Sequence, residues 1–507
     1  MKREGVTISS LNKERSMETL KPVPAYVGGT WEASENIATI TNPYSGKPVG
    51  NVCLGDSRMA KKALLAAKEA YGQYKKLPAH ARAKLLGQIL DGIQSRQEEF
   101  AKTIALECGK PILDAQREVA RSLFVLETAK EEAKRLGGEL IPLDLLEGAE
   151  GRVGVLRRFP LGVVFGITPF NFPLNLVVHK VAPALAAGNT IIIKPASKTP
   201  LTALLLAEVV ETTDLPKGAF SVIPLSNDLA EQLALDEDVK KVTFTGSAAV
   251  GWRLKALMPK KRVTLELGGN AGVIVHEDAD FDFAVKRCVA GSFGYAGQTC
   301  ISIQRIYVHE PLYERFKEAF VEGVKALKLG DPLDPQTQVG PMITPSALEG
   351  TLSFIEEAIS RGARLLVGGK RRENILEPTV LEKVEPSMRV VCEEAFAPVV
   401  NLIPYSDFEE ALAMVNNSAY GLQAGVFTSD IARVFQAYET LEVGGVIQGD
   451  ASNFRVDPMP YGGVKDSGFG REGVRFAIEE MTEPKLLVLN TRAGMQEGLA
   501  GKTPPGE

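Results

Sequence analysis

The feature that most constrains this fold is an alternation that runs from Gly162 to Gly246. Short β-branched runs ("GVVFGI", "TIIIKP", "FSVIP", "KVTFTG") alternate with the helical segments "LVVHKVAPALAAG", "PLTALLLAEVVETT" and "DLAEQLAL". Strands that are apolar at nearly every position, rather than at every second one, must be covered on both faces. Helices joining such strands in sequence give a parallel sheet in an α/β fold. A second alternation begins near Val273, with "AGVIV", "IQRIYV", "ARLLVGG", "VVNLIPY" and "AGVFT". It predicts a second α/β domain.

A chain of 507 residues exceeds what one core supports, so more than one domain is expected. From Asp56 to about Gly137 the pattern is helical, with Asp56 and Ser57 offering caps. Two pieces fit neither alternation. "GRVGVLRRFP" (Gly151 to Pro160) reads as half of a hairpin, and "PKLLVLN" (Pro484 to Asn490) as a late strand with no in-chain partner. An unpaired strand edge invites another chain, so a homo-oligomer is expected.

Composition narrows the function. A net charge of -5 excludes nucleic acid or an anionic membrane as the dominant partner. The apolar stretch Leu161 to Lys194 is interrupted by Pro169, Asn171, Pro173, Asn175, His179 and Lys180, so it reads as buried core rather than a membrane span. Cys53, Cys108, Cys288, Cys300 and Cys392 form no CxxC pair, which fits a reducing, cytoplasmic compartment. The beginning of the chain has no apolar h-region, and residues 1–19 and 496–507 read as flexible tails.

Four motifs carry chemistry. In "FTGSAAVG" (Phe244 to Gly251) a glycine turn leads from a strand into a helix N-terminus, which suits a phosphate at Gly246 and Ser247; a plain turn has the same pattern. "GFGREG" (Gly468 to Gly473) matches the dinucleotide fingerprint as text, but no strand precedes it, so it reads as a surface turn at a helix start. In "ITPFNFPLN" (Ile167 to Asn175), Asn171 sits in a loop stiffened by prolines, as an oxyanion donor or as a brace for its own loop. In "TLELGGN" (Thr264 to Asn270), Glu266 ends a β-branched strand, as a buried general base or as a paired structural carboxylate. In "GYAGQTCISIQ", Cys300 follows a Gly-Gln-Thr turn that could expose it, whereas the other cysteines read as buried and structural. No second Cys or His stands at metal-ligand spacing, so no metal is expected. Thiol, amide, carboxylate and phosphate-binding turn together point to acyl chemistry. A cysteine hydrolase would need a histidine, and His80, His179, His276 and His309 all lie outside these motifs.

These residues resemble the aldehyde dehydrogenase superfamily. The likeness covers roughly Ala25 to Asn490, with "TPFNFP", "KPAS", "FTGS", "LELGGN", "FGYAGQTC", "EEAFAPV" and "PYGGVKDSGFGREG" in the family's order. It implies an α/β fold with a variant Rossmann cofactor domain (residues 20–140 and 161–268), a second α/β catalytic domain (269–460), and a small β bridging element (141–160 and 480–495) that serves oligomerisation as a homodimer or homotetramer. By the same resemblance Cys300 is the nucleophile, Asn171 and the Cys300 N–H hold the oxyanion, and Glu266 activates water. The cofactor residues would be Ile167, Thr168 and Pro169 at the nicotinamide, Lys194 and Ser197 at the adenosine ribose, Gly246, Ser247 and Gly251 at the pyrophosphate, and Glu394 and Phe396 at the nicotinamide riboside. Phe170, Phe293, Thr299 and Ile301 would line the substrate pocket.

Two departures from the family pattern matter. Ser197 stands where many NAD-preferring members carry glutamate, so NADP or NAD is expected, with NADP favoured. Arg455, and Arg121 on the helix "EVARSLFVLETAKEEAKRL", stand where a small polar or anionic aldehyde would be held, as in the lactaldehyde, non-phosphorylating glyceraldehyde-3-phosphate and phosphonoacetaldehyde dehydrogenases. Thr299 counts against an anion, since some anion-handling members carry arginine there. The alternatives are a CoA-acylating relative, which Glu266 disfavours, and a catalytically silent protein of the same fold.

Overall fold

The computed structural model describes residues 21–491; the tails assigned to 1–19 and 496–507 lie outside the described residues. The predicted helical stretch forms the helices Ser57–Tyr74, Ala79–Ser95, Gln97–Cys108 and Ile112–Arg135. Asp56 caps the first by accepting from the Met59 N–H at 2.7 Å.

The first alternation builds an eight-stranded sheet. Phe220–Val222, Thr190–Lys194, Val163–Ile167, Val239–Thr245 and Arg262–Glu266 lie side by side in parallel. Ala25–Val27 and Thr30–Glu32 extend one edge antiparallel, and Gly468–Phe469 extends the other. Every residue of Val163–Ile167 and Thr190–Lys194 is buried, as their unbroken apolar runs require. The intervening helix Asn175–Ala187 is buried along its whole length, which accounts for the membrane-like reading of this stretch. Among the described residues no helix is long and apolar enough to cross a membrane. The register sets Ile167 opposite Lys194 and Phe244, and Thr245 opposite Glu266. The parallel strands therefore end together, and ligands of open α/β sheets bind at such carboxyl ends.

The second alternation builds a seven-stranded sheet in the order Arg364–Val367, Thr379–Glu382, Val399–Tyr405, Ile303–His309, Ala271–Val275, Gln423–Phe427, Gly445–Gln448. All neighbours are parallel except the first pair. Glu266 ends a strand of the first sheet and Ala271 opens a strand of the second, so the "LELGGN" turn joins the two sheets.

The structure corrects three expectations. Thr482–Asn490 does have an in-chain partner: it pairs antiparallel with Arg152–Pro160, from Thr482 opposite Pro160 to Asn490 opposite Arg152. Gly138–Pro142 pairs on the far side, completing the expected hairpin. The long pairing joins segments far apart in sequence, so no turn residue announces it. Next, Cys392 is exposed at the end of the short helix Arg389–Cys392, whereas Cys53, Cys108 and Cys288 are buried. Finally, "GFGREG" does precede a helix, Val474–Glu480, but it is not a surface turn. Gly468 and Glu472 are buried, and Gly468 pairs with Glu266.

Candidate active site

The carboxyl ends of the first sheet open onto a cavity of about 1090 Å³. It is lined by Arg121, Ile167, Thr168, Pro169, Phe170, Asn171, Lys194, Ser197, Gly246, Ser247, Glu266, Phe293, Thr299, Cys300, Ile301, Glu394, Phe396 and Arg455. Of the residues singled out from sequence, Gly251 alone is missing from this lining. It is buried in the helix Ala248–Leu257, where a Cβ would overlap the Leu267 side chain. Its glycine serves helix-to-strand packing.

The cavity lining includes a lone cation and an uncapped helix N-terminus. Lys194 is buried, burial lowers its pKa, and no carboxylate pairs with it among the described residues. Ser197 is exposed at the rim. Ser247, which lines the cavity with Gly246, precedes the helix Ala248–Leu257 without a side-chain cap, so no side chain occupies the helix N-terminus there. Glu394 accepts from the Gly269 N–H at 2.8 Å, and burial pushes its carboxyl up to about 7. A Cβ at Gly268 would overlap that carboxylate and displace it from this position. Phe396 holds a left-handed φ of 47° and meets Phe170 edge-on, with ring centres 5.9 Å apart.

The same lining carries the thiol. Cys300 ends a loop in which Tyr295 and Ala296 take left-handed φ values of 50° and 53°. Gln298 fixes that loop by accepting from the Ile343 N–H at 2.8 Å and donating to the Pro341 carbonyl at 3.2 Å. Asn171 Nδ2 donates to the Gln298 carbonyl at 2.9 Å; an amide nitrogen has two hydrogens, so one is left for another acceptor. The half-buried Cys300 places Sγ 3.0 Å from the Tyr461 hydroxyl. Burial pushes the thiol up to about 11, against the opposing pull of Tyr461 and Arg455.

Glu266 is buried, and neither of its carboxylate oxygens has a hydrogen-bond partner among the described residues. Burial first, and then the neighbouring Glu472, raise its pKa well above the usual carboxylate range. Glu472 is buried too, but Lys180 donates to it at 2.9 Å and, with His179 and Arg455, holds it below that range. Lys180 also donates to Thr245 at 2.7 Å and Thr243 at 3.1 Å. Arg121 grips Asp457 with two nitrogens, at 2.7 and 3.1 Å. Arg455 lies over the Tyr461 ring, its guanidinium carbon 3.6 Å from the ring centre, and reaches Glu472 at 3.5 Å. Its Nε makes no hydrogen bond among the described residues and lies 3.9 Å from Asp457 Oδ1.

Sequence reasoning missed Lys180, Glu472, Asp457 and Tyr461. Lys180 did carry a signal, since a lysine in an otherwise apolar helix must be paired once buried. Glu472 and Tyr461 stood inside a quoted motif, where nothing local marks them as buried.

Fold and site together define an α/β dehydrogenase with a thiol at its centre. The chain belongs to the aldehyde dehydrogenase family, whose sequence pattern it matches over residues 31–487. It is 42% identical over 476 residues to a 3-sulfolactaldehyde dehydrogenase of Priestia aryabhattai, covering 94% of this chain and 99% of that protein. Among solved structures it resembles aldehyde dehydrogenase 21 of Physcomitrella patens in complex with the reaction product succinate, with TM-score 0.92, 43% identity, and 93% and 99% of the two chains covered. It also resembles a glyceraldehyde-3-phosphate dehydrogenase of Methanocaldococcus jannaschii complexed with NADP, with TM-score 0.87, 39% identity, and 90% and 100% covered.

Proposed function

We propose that the protein oxidises a small, polar or anionic aldehyde to its carboxylic acid, with NADP or NAD as cofactor. The convergence of Cys300, Asn171 and Glu266 on one cavity carries this reading. The same cavity fits a dinucleotide: Lys194 is a buried cation without a carboxylate partner among the described residues, the helix at Ser247 starts without a side-chain cap, and Glu394 lines the cavity. When bound, the nicotinamide supplies the hydride acceptor. Lys194 and Ser197 would hold the adenosine ribose, Gly246 and Ser247 the pyrophosphate, Glu394 the second ribose, and Thr168 and Phe396 would flank the nicotinamide.

The chain's own residues do the rest. The Cys300 thiolate adds to the aldehyde carbon. The second Asn171 amide hydrogen and the Cys300 N–H stabilise the resulting oxyanion. After oxidation to the thioester, Glu266 takes a proton from water, which attacks the acyl carbon and releases the acid and the Cys300 thiolate. The Arg455 guanidinium, which lines the cavity with Cys300 and whose Nε makes no hydrogen bond among the described residues, supports an anionic tail on the substrate, as do relatives named for a sulfonated aldehyde and crystallised with succinate.

The outer edge of Thr482–Asn490 supports self-association, because Leu486, Leu487, Val488 and Leu489 on it are 45–55% exposed. Five free cysteines support a reducing, cytoplasmic setting. A screen of short hydroxy-, carboxy-, phospho- and sulfo-aldehydes, read by reduced-cofactor absorbance, tests the reaction. Anionic aldehydes should give the highest kcat/KM; no reduced cofactor with any of them would overturn the reading.

A further inference from the structure

We propose that Tyr461 is a further catalytic residue, whose hydroxyl donates a hydrogen bond to the Cys300 sulfur and stabilises its thiolate. The inference rests on Cys300 being the nucleophile. Among the described residues, Tyr461 is the one side-chain hydrogen-bond partner of Sγ, at 3.0 Å. The two side chains share a small apolar cluster with Ile301 and Leu422. While the thiol is neutral, either atom can donate. Once it ionises, sulfur has no hydrogen and only the tyrosine can donate. The bond therefore favours the charged form of the nucleophile.

The surroundings explain why such help is needed. Burial opposes ionisation of Cys300, and the facing carboxylates Glu394 and Glu266 oppose it further. Arg455 favours it. That guanidinium lies face-on to the Tyr461 ring at 3.6 Å, where a cation draws on the ring electrons and sharpens the hydroxyl as a donor. Tyr461 keeps its own proton, because burial and the nearby Cys300 and Glu266 hold its pKa well above the ordinary tyrosine value despite Arg455. No histidine takes this place: the nearby His179 is turned to Asp457 at 2.8 Å. Ionisation releases the thiol proton to solvent through the open cavity, and Tyr461 forms no covalent bond.

The test is the pH profile of Cys300 alkylation by iodoacetamide, in the full chain and in Tyr461→Phe, with the labelled residue identified by peptide mass. The substitution keeps the ring beneath Arg455 and removes one hydroxyl. The alkylation midpoint should move up by about one pH unit, the size expected for a hydrogen bond to a charged group. The hydride burst at neutral pH should slow by about three- to tenfold, since the thiolate left is scarcer but somewhat more nucleophilic. The thermal midpoint and NADP affinity should hold, which separates this role from a packing one. An unchanged midpoint, with label still on Cys300, would overturn the assignment of Tyr461. Failure of the unsubstituted protein to label at Cys300 would instead overturn the nucleophile and the inference with it.

Discussion

Lys180 Nζ lies 2.9 Å from Glu472 Oε1, and this buried ion pair stands beside Glu266, whose carboxylate has no hydrogen-bond partner among the described residues. Two neighbouring carboxylates do not ionise alike: Glu472 takes the cation and is held low, and Glu266 is pushed high. A general base works in its charged form, so thioester hydrolysis should run above the Glu266 pKa and fail as pH drops through it. Glu472→Gln removes a negative charge facing Glu266 and leaves Lys180 unpaired. Both changes favour charged Glu266, so the hydrolysis midpoint should shift to lower pH by about one unit. Stability should fall by about 3–5 kcal/mol, because a buried cation loses its partner. Steady-state turnover against pH, together with a denaturant melt, checks both.

Removing the thiol and removing the base should fail at different steps. Cys300→Ala should abolish turnover and leave cofactor affinity intact, since the change leaves Lys194 and Ser247, assigned to the ribose and pyrophosphate, untouched. Glu266→Gln should still give one hydride burst and then stall at the thioester, with steady-state rate down about 10²–10⁴-fold. Stopped-flow absorbance separates burst from steady state. A burst that falls in step with the steady state would mean that Glu266 acts before acyl transfer.

The reach of sequence reasoning follows from how local each feature is. The parallel strands were legible because burial on both faces writes itself into every residue of "TIIIK" and "VVFGI". Glu266, Asn171 and Cys300, which the structure brings to one cavity, could be singled out because each stands at or within the edge of an apolar run, Cys300 just before one. Lys180 and Glu472 are 292 positions apart, and their meeting depends on the short strand Gly468–Phe469 docking on Arg262–Glu266. The same docking turned "GFGREG", which reads as a surface turn, into one wall of the site. The pairing of Thr482–Asn490 with Arg152–Pro160 was hidden for a like reason: long-range antiparallel strands need no turn between them.

Substrate charge should be read mainly by Arg455. Arg121 is committed to Asp457 through two nitrogens, whereas Arg455 reaches Glu472 only at 3.5 Å and Asp457, from Nε, only at 3.9 Å, and its Nε makes no hydrogen bond among the described residues. Arg455→Leu should lower the ratio of kcat/KM for anionic over neutral aldehydes by about tenfold or more, the worth of a charge-assisted hydrogen bond. Arg121→Leu should change that ratio less and act on stability, since it leaves buried Asp457 with His179 as its nearest partner. Kinetics with a matched pair, such as a sulfo- and a hydroxy-aldehyde of equal length, would decide; an unchanged ratio in Arg455→Leu removes this residue from specificity.

Cofactor choice should turn on Ser197. It is exposed at the cavity rim, three residues beyond Lys194, which is buried and has no carboxylate partner among the described residues. A glutamate at 197 would bind ribose hydroxyls and repel a 2′-phosphate; serine removes that repulsion and offers a hydroxyl donor, with the Lys194 ammonium beside it. NADP should therefore be preferred, by about tenfold if one charge-assisted contact is gained. Ser197→Glu should lower kcat/KM for NADP by at least that factor and hold or raise it for NAD. Lys198 is exposed and does not line the cavity, so Lys198→Ala should leave the preference unchanged. Steady-state kinetics of the three proteins with each cofactor checks the set. A strong NAD preference in the unsubstituted protein would show that Ser197 is only a small loop residue and that Lys194 serves a ribose hydroxyl rather than a phosphate.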